Sequence, residues 1–207
     1  PEKFREIDTE APRVVIAGMG RMGQIVARIL RAQNIKFVAL DTSVETIELS
    51  RSFGGVPVFY GDPMRPEILH AAKVGEAEYF VIATDDPETN IKTAEVVHKL
   101  YPHMKIIARA RNRQHVHRLV DLDASPVRET FYSSLEMSRR TLVGLGLTEA
   151  QADARITRFK NHDQQVLAAQ HAVYDDAAKL LQSAQEARAE LARLFEMDRL
   201  EEESDRV

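Results

Sequence analysis

The hexapeptide Gly18-Met19-Gly20-Arg21-Met22-Gly23 constrains this chain more than any other feature, because of what flanks it. Before it, Arg13–Ala17 is an apolar run of strand length. After it, Gln24–Ala32 has the composition of a helix, and an acid, Asp41, closes the next apolar run, Lys36–Leu40. A GxGxxG turn between strand and helix, with a carboxylate roughly twenty residues further on, is the fingerprint of a nucleotide-binding βα unit. Gly18 permits the tight turn, Gly20 lets a phosphate approach the backbone, and Gly23 lets the helix pack on the sheet. The Gly18–Gly23 turn, Arg21 and Met22 included, leads into a helix N-terminus that offers N–H groups and partial positive charge to an anion. Asp41, with Thr42 beside it, would meet ribose hydroxyls and repel a 2′-phosphate, which favours AMP or NAD(H) over NADP. The alternative is a glycine-rich turn that binds nothing.

The alternation continues down the chain. Strands are expected at Val56–Tyr60, Tyr79–Ala83 and Lys105–Arg109, and helices at Val44–Phe53, Pro66–Ala72, Glu88–Leu100 and Arg113–Leu122. Short apolar strands alternating with helices specify parallel βαβ units with right-handed crossovers, an α/β, Rossmann-like sheet. The pattern changes at Ser125-Pro126, with a short sixth strand expected over Val127–Thr130. From Phe131 onward everything reads as helix. Thr148 with Gln151 makes a capping-box signal, and mild breaks fall near Asn161–Asp163 and Asp175-Asp176. Val166, Val173, Ala177, Leu180, Ala184, Ala187, Leu191 and Leu194 form one apolar stripe, expected on one helix. Residues 201–207 are acidic and expected to fray. This gives a linker over 1–11, a nucleotide-binding domain over 12–130, and a C-terminal helical extension over 131–207 for dimerisation and ligand contact. The opening Pro1-Glu2-Lys3-Phe4 reads as the start of an excised piece.

Composition narrows the function classes. Twenty-eight basic and 32 acidic residues leave a net charge of −4, so nothing drives the chain toward nucleic acid or anionic lipid. Cysteine is absent, which removes disulfides, thiolate metal sites and cysteine nucleophiles. The seven histidines lack metal-ligand spacing: His115 and His117 are two apart on an expected helix and do not face each other. No catalytic motif and no metal site is expected.

Two more loops follow strands, where doubly wound sheets bind ligands. Gly61-Asp62 could accept from an adenine amino group. Thr84-Asp85-Asp86-Pro87-Glu88 could border phosphate or ribose; equally, its acids and proline suit a helix start. Arg109, Arg111 and Arg113 cluster near the end of the fifth strand, and a pocket for small carboxylates is one reading of them. Arginines paired with surface acids are the other. A dehydrogenase also needs a substrate domain, and none follows the strands. Three functions stay open: a ligand-sensing regulatory domain, an NAD-dependent oxidoreductase subunit lacking its substrate domain, and a plain dimerisation module.

Several segments carry a resemblance. Val14 to Gln24, Phe59-Tyr60-Gly61-Asp62, Asp85-Asp86-Pro87 with Thr89-Asn90, Ile106 to Arg111, and Arg128-Glu129-Thr130-Phe131 resemble the KTN (RCK, TrkA-N) regulatory domain of Kef glutathione-gated potassium efflux systems. The resemblance spans residue 13 to about residue 166. It implies a non-enzymatic domain on the cytoplasmic face of the cell membrane, serving the membrane antiporter domain of the same protein. It implies AMP or NAD(H) in the Rossmann site and glutathione at the interface of a homodimer, with glutathione adducts opening potassium efflux by displacing an aromatic residue. By matching segments the glutathione contacts are Arg28, Arg128 and Asn161, with Asn112 where the family can carry an Asp, and the displaced aromatic is Phe53. The family also has an ancillary flavoprotein partner.

Overall fold

The computed structural model describes residues 10–52 and 57–204. The chain divides into two units, Pro1–Glu129 and Thr130–Val207. The first contains strands β1 Val14–Ala17, β2 Phe37–Asp41, β3 Val58–Tyr60, β4 Tyr79–Ile82, β5 Lys105–Ala110 and β6 Ala124–Arg128. Between them run helices α1 Arg21–Ala32, α2 Val44–Ser52, α3 Pro66–Ala71, α4 Pro87–Leu100 and α5 Arg113–Val120, with a 3-10 turn at Val74–Glu76. The strands form one sheet in the order β3-β2-β1-β4-β5-β6, every neighbouring pair parallel. β1 reads VVIA and is buried at all four positions, as a central strand of a parallel sheet must be. Strand order reverses between β1 and β4, so the crevice beyond their carboxyl ends is the switch point where such sheets bind ligands.

The expected α/β order holds, and the boundaries move for identifiable reasons. α1 begins at Arg21, inside the expected turn, because Gln24 N already bonds Gly20 O at 3.1 Å. Pro87 takes the first position of α4, which costs no hydrogen bond there. β6 runs over Ala124–Arg128 and not Val127–Thr130. Pro126 pairs with Ala108, and a proline is tolerated there because β6 is an edge strand. Phe53 and Val56, the expected end of one helix and start of one strand, and most of the 1–11 segment lie outside the described residues.

The second unit holds α6 Phe131–Gly144, α7 Glu149–Gln170, a 3-10 turn at His171–Val173, and α8 Ala177–Ser204. Thr148 and Gln151 complete the capping box of α7. Asn161–Asp163 does not interrupt α7, whereas Asp176 does begin a new helix: its carboxylate accepts from Lys179 N at 3.1 Å. The apolar stripe is therefore divided among α7, the 3-10 turn and α8, and does not lie on one helix.

α7 and α8 are joined by a ladder of polar rungs. Arg155 Nη1 lies 3.3 Å from Asp198 Oδ2, His162 Nε2 3.2 Å from Glu190 Oε2, and Gln170 Nε2 donates to Ser183 Oγ at 3.2 Å. The rungs step by seven and eight residues along α7 and by eight and seven back along α8, the spacing of one helical face in an antiparallel pair. Arg158 also reaches Asp198 at 2.6 Å, and Arg155 reaches Glu202 at 3.0 Å. Ala187, Leu191 and Leu194 are half-buried on the side of α8 that carries these rungs, so the hairpin itself uses that part of the stripe.

Arg139 and Arg140, in that order, hold the Glu136 carboxyl down to about 2 through side-chain hydrogen bonds. Its stabilising charge is complete above the ordinary value of 4.5 and disappears as pH falls through about 2. Titration followed by NMR should find that low midpoint; an ordinary carboxylate midpoint would show the pairs are not kept in solution.

Candidate nucleotide-binding site

The glycine loop is shaped by three different constraints. Gly18 has a φ of 94°, and a Cβ there would stand 2.8 Å from the backbone N of Thr84. Both facts require glycine, the first because a side chain is strained at that φ. At Gly23 a Cβ would come within 1.9 Å of Gly18 O, so α1 lies against its own loop. At Gly20 a Cβ meets nothing within 4 Å. Gly20 caps α1 without a side chain, and no acid occupies the first turn. The first N–H groups of a helix have no intrahelical partner, so this end is suited to an anion. Arg21, exposed, and Met22, half-buried, stand in that first turn.

Backbone hydrogen bonds gather the strand ends around this loop. Gly18 N donates to Leu40 O at 2.8 Å, Ala83 N to Ala17 O at 2.8 Å, and Gly61 N to Asp41 O at 3.0 Å. Asp41 accepts from Met19 N at 2.7 Å through Oδ2 and from Ser43 N at 2.7 Å through Oδ1. The carboxylate thus braces the glycine loop. With about four acceptor directions, it keeps capacity for a ribose hydroxyl, and exposed Thr42 adjoins it. Gly61 is buried against Ile68, whose Cγ2 would lie 2.6 Å from an added Cβ. Asp62 turns back to accept from Met64 N at 2.9 Å.

Both readings of the Thr84–Glu88 loop apply, to different residues. Asp86 is the N-cap of α4 and accepts from Thr89 N at 2.7 Å and Thr89 Oγ1 at 2.6 Å. Those two bonds hold its carboxyl below the usual range. Thr84 and Asp85 precede the cap at the end of β4. Thr84 Oγ1 donates to Asn90 Oδ1, and Asn90 Nδ2 donates to Thr84 O at 3.0 Å and Arg109 O at 3.2 Å.

The arginine cluster corrects one expectation. Arg109 is buried and bonds Glu129 Oε2 at 2.5 Å and Asp85 Oδ1 at 2.7 Å. Arg111 bonds Glu129 Oε1 at 2.7 Å and donates to Asp85 O at 2.8 Å. These two guanidiniums are committed to neighbouring oxygens and do not form a carboxylate pocket. Asn90 and Glu129 stand in segments that carry the resemblance, but the sequence assigns neither of them a role. Each is a single polar position, and only the tertiary structure shows that Asn90 is buried and that Glu129 meets two arginines.

The residues assigned to glutathione by resemblance lie on several elements and in both units. Asn112 caps α5, accepting from His115 N at 3.0 Å, and Arg128 ends β6 in register with Ala110; these two share one corner of the sheet. Arg28 is exposed on α1 beside Ile25 and Ile29, themselves 50% and 60% exposed. Asn161 is exposed on α7, in the second unit. Phe53 lies outside the described residues. Among the described residues no three His, Asp or Glu side chains could hold a metal, and no helix is long and apolar enough to cross a membrane.

Comparison with known proteins agrees with this geometry. Residues 14–128 match the TrkA-N domain family, and residues 133–207 match the potassium efflux system KefB C-terminal domain. The glutathione-regulated potassium-efflux system protein KefC of Salmonella arizonae is 44% identical over 163 residues, which is 78% of this chain and 26% of that protein. The chain thus spans about a quarter of the length of that relative. Among solved structures, the Shewanella denitrificans Kef CTD in its AMP-bound form is 37% identical, with a TM-score of 0.70 over 77% of this chain and 98% of that one. The GsuK channel bound to NAD shares the fold at 22% identity and a TM-score of 0.58, over 64% of this chain and 24% of that one. Family matches, sequence relatives and a six-stranded parallel sheet with a helical C-terminal part agree: the chain belongs to the TrkA-N domain family and is a KTN domain of the Kef kind.

Proposed function

We propose that this chain is the ligand-sensing regulatory domain of a potassium/proton antiporter and binds AMP or NAD(H) in the crevice formed by Gly18, Gly20, Arg21, Met22, Gly23, Asp41, Thr42, Gly61, Asp62, Thr84 and Asp85. The carrying observation is the open space at Gly20 beside an uncapped helix N-terminus, with Asp41 across the loop. The AMP-bound form of the Kef CTD relative supports the same ligand. AMP at about 100 times its dissociation constant should stabilise the chain by about 2.7 kcal/mol, a rise in Tm of about 5–10 °C. NADP should do less, and Asp41→Ala should weaken AMP. An unchanged AMP affinity in that variant removes Asp41 from the site.

Glutathione, with two carboxylates and one ammonium, is the second ligand in this reading. Arg28, Asn112, Arg128 and Asn161 are its contacts and Phe53 the aromatic that bulky adducts displace, in a homodimer on the cytoplasmic face of the membrane. The name of the KefC relative supports the ligand. Exposed Tyr132, Met137 and Leu145, on and just after α6, support assembly through that helix. The name and greater length of the KefC relative support the membrane antiporter domain as partner, and the ancillary flavoprotein rests on the resemblance alone. Hydrogen bonds to charged groups contribute about 1.5–3 kcal/mol, so Arg128→Ala should weaken glutathione by roughly ten- to a hundredfold and leave AMP unchanged. Calorimetry on the two proteins decides it: equal glutathione binding, or none to either, refutes the glutathione role.

A further inference from the structure

The structure contains a polar circuit, buried at Asn90 and Arg109 and exposed at Asp85 and Arg111, that starts beside the glycine loop and ends at the last residue of the first unit. Thr84 fills the space that a Gly18 side chain would need. Asn90 grips the Thr84 carbonyl and the Arg109 carbonyl with one amide nitrogen. Asp85 follows Thr84, and its carboxylate bonds Arg109 while its carbonyl accepts from Arg111. The same two guanidiniums close on the two oxygens of Glu129. Side-chain exposure is 7% at Arg109 and 12% at Glu129. Glu129 N donates to Ala110 O at 3.1 Å, which fastens the chain to the sheet where β6 ends and the helical unit begins.

We propose that Arg109, Arg111 and Glu129 are positioning residues that transmit occupancy of the nucleotide crevice to the junction at Glu129. The proposal rests on the nucleotide reading above and adds a route to it. An anion seated on the glycine loop fixes Thr84, and with it both Asp85 oxygens that the arginines hold. The circuit carries two guanidiniums and two carboxylates, so it is balanced in charge. Arg109 and Glu129 are shielded from water, so a loosened Arg109 guanidinium finds no equivalent partner in solvent, while Arg111 and Asp85 stand at the exposed edge of the circuit. Fixing one end therefore fixes the other, and the junction opens less often.

Hydrogen exchange by NMR with AMP as the probe tests this. In the wild type, AMP should slow exchange at the Met19 amide and, by about tenfold, at the Glu129 amide; coupling between sites typically spans about 5- to 150-fold. Glu129→Gln keeps the side-chain volume and removes the charge. It should keep the Met19 response and lose the Glu129 one. Arg111→Gln guards against misfolding, because Arg111 is half-exposed, and it should lower the Glu129 response several-fold with the Met19 response intact. A Met19 response without any Glu129 response in the wild type overturns the proposal, as does a full Glu129 response in both variants. No AMP response at either amide overturns the nucleotide reading, and the proposal falls with it.

Discussion

Gly23→Ala should destroy nucleotide binding and cost about 3 kcal/mol or more, the upper part of what overpacking does. The added Cβ would stand 1.9 Å from Gly18 O and 2.9 Å from Gly18 C. Those are backbone atoms, and they cannot swing aside as a flexible side chain can. Relief requires α1 to lift from the loop, which moves Met19 N off Asp41 Oδ2. In a chain of this size the loss is a fall in Tm of about 10 °C. Gly20→Ala is the control, because nothing lies within 4 Å of its Cβ position. Its Tm should stay within about 1 °C of wild type, while the methyl group occupies the approach to the backbone and lowers AMP affinity by about tenfold or more, equivalent to about 1.4 kcal/mol. Calorimetry and thermal melts on both variants separate fold from site. Gly20→Ala binding AMP as the wild type does would show that the ligand does not approach there.

The second large effect belongs to the α7–α8 ladder. Asp198 is buried and takes both Arg155 and Arg158. Asp198→Ala leaves the buried Arg155 guanidinium with Glu202 alone among those acids, and removing one partner of a buried pair costs about 3–5 kcal/mol. Replacing both, Arg155→Met with Asp198→Leu, should cost far less, because apolar residues of similar volume often substitute for buried pairs at little cost. Urea unfolding followed by helical circular dichroism measures both. If the double variant is as unstable as the single one, the pair contributes more than mutual neutralisation. The ladder's three rungs fit one register only.

The legible part of the fold was the part carried by local pattern. The VVIA run, the tight turn at Gly18 and the close packing at Gly23 stand together in sequence and are found as expected, and Asp41, 22 residues from Met19, was legible because the fingerprint fixes its spacing. Thr148 with Gln151 was equally local. What escaped depends on partners distant in the chain. Arg109 and Glu129 are twenty residues apart, and nothing in their spacing says that Asp85 meets them. Nothing in the local sequence marks Arg155 and Asp198 as partners, and the turn at Asp176 brings them together. The sixth strand was expected only after the pattern change at Ser125-Pro126, and it includes Pro126 because an edge strand tolerates proline.

In the proposed function, this KTN domain holds an adenine nucleotide on its glycine loop. Crystals of the chain grown with AMP test it most directly. Density is expected for the phosphate against the amides at Gly20 and Arg21, with the ribose at Asp41. An empty glycine loop under saturating AMP, or AMP bound elsewhere on the chain, would contradict it.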